Sequence, residues 1–288
     1  MIGRRFFVSA FLAAMVLPLA GCATTPYEGV GKSTSDALLR KQFESAEQLR
    51  RVQAGGRLIL AGFAMHSQSK AFRNDVVAAE KLALKIDPHA IVFKLDNPAW
   101  GQGSQWPYAT AENIALVLKK VGALARPEDK VVVLMTTHGN VDALGINFAN
   151  KDYPSLNAQW LNQALADLRD RPTLLLLSAC HSGSFVGPLS GPSRVILTAA
   201  AKDRSSFGCQ FQSTNTYFVD ALLNQPSALD RSIAELMEQA RIDIDQRERQ
   251  QKLSPPSLPQ MFVGHAVGAW ANQPLKHWLN SQNSGLAR

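Results

Sequence analysis

Leu174 to Leu177 form an unbroken apolar run between the helix-breaking pair Arg171-Pro172 and the small, polar segment Ser178-Ala179-Cys180-His181-Ser182-Gly183. A short apolar run bounded this way fits a strand buried on both faces, as in a parallel sheet. Cys180 then stands where a buried strand leaves the sheet. In open α/β sheets the carboxyl ends of strands are where ligands bind.

A second stretch has the same shape. Residues 130–140 read KVVVLMTTHGN, a β-branched run that ends in Thr136-Thr137-His138-Gly139. The segment from His138 to Cys180 is long enough for one helical crossover between adjacent parallel strands. If the two strands are such neighbours, His138 and Cys180 emerge on one edge. A cysteine and a histidine are the minimum equipment for thiolate nucleophilic catalysis. Gly139 lets a backbone N–H come close to substrate, as an oxyanion donor must. Read from residues alone, a core cysteine and a hydrogen-bonded loop histidine fit the same pattern.

The rest of the chain alternates strands with helices. Strands are expected over 58–63, 91–95, 194–199 and 261–263. Helices are expected over 35–53, 72–85, after Thr110, after Ser155 and over 227–244. This order implies one α/β domain with a mostly parallel six-stranded sheet and helices on both faces. The aromatic loop 97–108 either lines a pocket or covers the core.

Residues 1–21 stand apart. Arg4 and Arg5 precede an apolar stretch with Pro18 in it, the layout of a secretory signal, and too short to span a bilayer. Leu19-Ala20-Gly21-Cys22 resembles the bacterial lipoprotein box, which implies that Cys22 carries lipid and anchors the chain to the cell envelope. Ala23 after the cysteine favours the outer membrane, facing the periplasm. Residues 22–34 read as a tether, 35–55 as an N-terminal helix and 56–288 as the main domain. Loss of Arg4 and Arg5 lowers the net charge from +7. The remaining basic residues are scattered, which argues against nucleic-acid binding.

The six histidines, His66, His89, His138, His181, His265 and His277, lack metal-ligand spacing. No metal or other cofactor is implied. Cys180 and Cys209 could pair in an oxidising compartment, while Cys209 also reads as a small buried hydrophobe.

The strands ending in His138-Gly139 and Ala179-Cys180 resemble those of the caspase/legumain clan of cysteine peptidases. Cys180-His181-Ser182-Gly183-Ser184-Phe185 is most similar to the legumain branch, family C13. Thr198-Ala199-Ala200 and the run from Asp203 through Ser205-Ser206-Phe207-Gly208 to Cys209 resemble the family's segment after the nucleophile. The resemblance implies a caspase-like fold and a cysteine endopeptidase acting on peptide or protein. Cys180 would be the nucleophile, His138 the acid–base group, and the Gly139 and Cys180 N–H groups the oxyanion donors. A non-catalytic or transpeptidase-type lipoprotein that binds peptide on the same fold is the alternative. Ser178, Ser205, Ser206 and Asn215 fall at the family's pocket for the residue before the cut. Ser178 and Asn215 stand where the family carries acids that bind an asparagine side chain. The asparagine that follows the family's first strand has no counterpart among Ala64 to His66.

Overall fold

The computed structural model describes residues 31–52, 55–99 and 103–279. The expected signal, Cys22 and most of the tether lie outside these. In chain order the main elements are α1 (Lys32–Val52), β1 (Leu58–Ala64), α2 (Lys70–Ile86), β2 (Ile91–Asp96), α3 (Ala111–Leu124), β3 (Lys130–Thr136), β4 (Gly139–Asn140), β5 (Ala143–Phe148) and β6 (Lys151–Leu156). They continue with α4 (Ala158–Ala164), β7 (Thr173–Ser178), α5 (Val186–Leu189), β8 (Arg194–Thr198), α6 (Tyr217–Leu223), α7 (Ile233–Gln250) and β9 (Gln260–Val263).

Six strands form one sheet in the order β2-β1-β3-β7-β8-β9. All neighbours in it are parallel except β8 and β9. Because successive strand residues face opposite sides, the leucine run of β7 feeds two cores. Leu174 and Leu176 pack with α2, α6 and α7, whereas Leu175 and Leu177 pack on the side of α1, α3 and α4. Burial on both faces is why the run carries no polar residue. On the free edge of β2, the Gln42 amide of α1 accepts from Lys94 N and donates to Lys94 O, both at 3.0 Å. A side chain thus occupies backbone groups that an edge strand would otherwise leave open.

Several local expectations need correction. Residues 140–154, for which no strand was expected, lie largely in a second, antiparallel sheet, β4-β5-β6. Ser155 does not cap α4, because it belongs to β6, and the Asn157 side chain accepts from Trp160 N instead. The helix expected from 227 starts at Ile233, where Ser232 and Glu235 form a capping box. Trp106 is a core cover, buried beneath Arg73 and Lys94, whose charged groups lie 4.2 and 4.7 Å from its ring centroid.

The close approach of α2 to the sheet matters for the site. A Cβ at Gly62 in β1 would lie 2.6 Å from Val76 Cγ1, so only glycine lets the helix sit this near. Overpacking of this kind costs about 1–3 kcal/mol. Gly62→Ala should lower the unfolding free energy by that amount in denaturant titration, and adding Val76→Ala should lessen the penalty. Equal stability of Gly62→Ala and wild type would contradict the packing described.

Candidate active site

The site starts from register. Thr136 at the end of β3 pairs with Ser178 at the end of β7, and Thr137 N donates to Ser178 O at 3.1 Å. His138 and Cys180 each lie two residues beyond this pair. The same offset past paired residues of adjacent parallel strands brings them to one edge. Gly139 joins them: a Cβ there would stand 2.5 Å from Cys180 O and 2.9 Å from Ala179 Cβ. The two strand exits therefore touch backbone to backbone.

Gly139 opens the β4–β5 hairpin opposite Leu144. Gly145 N donates to His138 O at 2.8 Å while Gly145 O accepts from Thr137 Oγ1 at 2.7 Å, so residues 138 and 145 face each other at a hydrogen-bonded position and 139/144 form the next, non-hydrogen-bonded pair. In such a pair the N–H points away from the partner strand. The Gly139 N–H accordingly faces away from β5, the direction an oxyanion donor requires.

Cys180 is half-buried and free, and so is Cys209. Ser206 N donates to Cys180 Sγ at 3.2 Å, and Ser206 Oγ lies 3.7 Å from the same sulfur. Ser206 is thus a direct partner of the thiol. Ser205 beside it is exposed. His181 adopts a left-handed turn (φ 55°) and its Nδ1 lies 3.2 Å from Lys202 O, so its ring is engaged with the 200–206 loop. Burial pushes the Cys209 thiol up, with Cys180 and Asp75 acting the same way.

His138 is clasped by two rings, His66 at 4.4 Å between centroids and Phe72 at 5.2 Å, each nearly perpendicular to it. Burial lowers the His138 pKa, with the Asp152 carboxylate opposing. His66 is only 8% exposed. Burial pushes it down to about 4, His138 acts in the same sense, and Asp152 opposes. Gln68 N donates to His66 Nδ1 at 3.4 Å, which leaves the proton of the neutral ring on Nε2. Asp152 is itself held by Asn147 Nδ2 at 2.7 Å, and Ser67 Oγ donates to Asn147 Oδ1. His66 lines two clefts on either side of it. One, of about 470 Å³, includes Ser69, Arg73, Asp96 and Phe211; the other, of about 390 Å³, includes His138, Gly139 and Asp152.

Ser178 and Asn215 occupy a deeper layer than expected. Ser178 is fully buried, and its hydroxyl lies 2.9 Å from Thr216 Oγ1. Asn215 is half-buried, and its amide donates to Asp75 at 3.0 Å. A carboxylate therefore does stand behind this wall, supplied by α2 rather than by the strand end or the later loop. Burial raises the Asp75 pKa to about 7, against hydrogen bonds from Thr136, Asn215 and Thr216 that lower it. Asp75 had a sequence signal: it lies on the same helical face as Phe72, Val76 and Ala79, all buried. His66 had only its place just past β1. Among the described residues, no three His, Cys, Asp or Glu side chains are gathered as metal ligands would be.

The His66 shift has a stability consequence. Its folded pKa lies below the unfolded value, so the unfolded chain binds the extra proton between pH 6.5 and 4. Unfolding free energy should therefore fall across that window, by about 3 kcal/mol for this group. Asp75 acts in the opposite sense and is common to wild type and His66→Gln, so their difference isolates His66. Chemical denaturation from pH 7 to 4 should show wild type losing stability relative to His66→Gln; parallel curves would contradict the neutral, buried histidine.

Residues 112–267, from the first turn of α3 to just past β9, match the model described as "Peptidase C13 family", a span that contains both His138 and Cys180. None of the curated proteins matches the chain. Among solved structures, caspase-1 from Spodoptera frugiperda superposes with a TM-score of 0.51 at 13% identity, covering 73% of this chain and 89% of that one. At that identity the likeness is one of fold, and the fold is caspase-like. The family match spans more than half of the chain, which therefore belongs to the peptidase C13 family, of cysteine peptidase type.

Proposed function

We propose that the protein is a cysteine endopeptidase of the legumain type, acting through a Cys180–His138 dyad and an acyl-enzyme. The observation that carries this reading is the equal offset of the two residues past the Thr136–Ser178 pair. Cys180 attacks the scissile carbonyl carbon as a thiolate. The developing oxyanion is met by the Gly139 and Cys180 N–H groups. His138 in its protonated form gives its proton to the leaving amine, then takes one from the water that attacks the thioester. That water releases the acid product and restores the thiol. The lowered pKa of His138 favours the neutral ring needed for the second step.

Peptide or protein is the substrate. Ser205, Ser206 and Asn215 border the pocket for the residue before the cut, and Ser178 lies beneath it. Hydroxyl and amide groups hydrogen-bond an amide side chain without the charge-assisted acceptors of a carboxylate-lined pocket. A weakened preference for asparagine, with small polar residues also cleaved, is the expected profile; cleavage confined to lysine or arginine would contradict it. The chain is anchored to the bacterial outer membrane through lipid on Cys22 and acts in the periplasm. Intact mass of the membrane-extracted protein should begin at a lipid-modified Cys22, and a chain still starting at Met1 would overturn the anchor.

Cys180→Ala and His138→Ala should each lower peptide hydrolysis by at least about 10³-fold. Both lie past strand ends, so Tm should move by only a few degrees. Cys209→Ala should keep activity and lose about 1 kcal/mol through the small cavity it leaves. Retained hydrolysis in Cys180→Ala, with loss in Cys209→Ala, would reassign the nucleophile.

A further inference from the structure

We infer that Asp75 is a positioning residue for this site: its buried carboxylate ties the ends of β3 and β7 to the 215–216 segment and so holds Cys180 and His138 at their working separation. Asp75 is completely shielded from solvent on the inner face of α2. An apolar residue there would join Phe72, Val76 and Ala79 in the core at no electrostatic cost. Four donors converge on the carboxylate instead. Thr136 Oγ1 and Thr216 Oγ1 reach Oδ2 at 2.7 and 2.8 Å, while Asn215 Nδ2 and Thr216 N reach Oδ1 at 3.0 and 3.1 Å. None of the ion pairs among the described residues involves it.

Proton accounting gives the network a direction. The four hydrogen bonds favour the ionised carboxylate against burial, and in that form the Thr216 hydroxyl proton points at Asp75. The Thr216 oxygen is left to accept, and it does so from Val219 N at 3.3 Å and from the Ser178 hydroxyl at 2.9 Å. The chain therefore runs from Ser178 to Thr216 to Asp75, with Thr136 arriving from the other strand. Thr136 and Ser178 are the paired residues from which His138 and Cys180 are each two steps away. One carboxylate thus clamps both strands at the register level just below the reacting groups. The same bond pattern turns the Asn215 amide N–H₂ inward, leaving its carbonyl oxygen on the outer side.

The clamp needs an anion rather than a polar group of similar shape. An asparagine at 75 would present N–H groups to two of the four donors and leave buried hydrogen-bonding groups unmatched. A displacement of the reacting groups by a fraction of an ångström penalises the chemical step more than binding, since binding spreads over the whole cleft.

The test uses the full chain carrying Asp75→Asn, with Thr136→Val as a milder second variant that keeps the charge and removes one donor. Hydrogen exchange read by mass spectrometry should show amides at 137–139, 179–181 and 215–217 exchanging about ten-fold faster in Asp75→Asn, with β1 and β2 unchanged. The kinetic arm rests on the peptidase reading: kcat should fall by at least about ten-fold with KM within about three-fold. Thr136→Val should move both readouts the same way by less, and it decides the matter if Asp75→Asn fails to fold. Unaltered exchange at the two strand ends, exchange raised evenly over the sheet, or wild-type kcat in the folded variants would overturn the inference. A wild-type protein that hydrolyses no peptide would instead defeat the proposed function, while the exchange pattern still decides the role of Asp75.

Discussion

The proposed chemistry of this protein depends on one parallel pairing, Thr136 with Ser178 across β3 and β7. Strand side chains alternate faces, so a one-residue slip would send His138 and Cys180 to opposite sides of the sheet. Two independent cores hold the register. Leu174 and Leu176 pack against α2, α6 and α7, and Leu175 and Leu177 against the other helical layer. A strand anchored on both faces has no free direction in which to shift. The central strands can then end abruptly in polar residues without loosening the site.

Past the strand ends, polar groups lie in surroundings that penalise charge. His66 is held neutral against His138, and the Asp75 carboxylate is sealed beneath the two exits. Burying a carboxylate costs several kcal/mol unless hydrogen bonds replace the lost water. Here four donors do so, one from Thr136 at the end of β3 and three from the 215–216 segment. The result is a rigid floor under a more open rim. Ser205 is exposed and Phe211 is 80% exposed at that rim. Rigidity below and access above is the arrangement a peptide-binding edge needs.

The sheet was legible because its signals are local: four leucines, a β-branched run, and glycine or proline at the ends. The placing of His138 and Cys180 on one sheet edge was legible because each follows such a run directly. What sequence did not disclose is long-range. Asp75 meets Thr216 across 141 positions, and nothing in either segment names the other. The β4-β5-β6 sheet was missed because β4 is only two residues long, β6 reads KDYPSL, and Asn147 interrupts the short apolar run of β5. Helix starts were misplaced where several candidate caps stand close together; Ser227 heads a 3₁₀ turn, and Ser232 wins because Glu235 completes its capping box. The family resemblance puts Ser178 at the pocket, whereas its hydroxyl is buried against Thr216, far away in the chain.

The central claim is that the register places a reactive thiol beside a histidine on an open edge. It is tested most directly by treating the folded protein with a peptidyl electrophile, mapping the adduct by mass spectrometry, and repeating the reaction with His138→Ala. The account predicts a single adduct on Cys180, formed at least about ten-fold faster with His138 present than without it. Adduct on Cys209 instead, or labelling of Cys180 that is indifferent to His138, would contradict it.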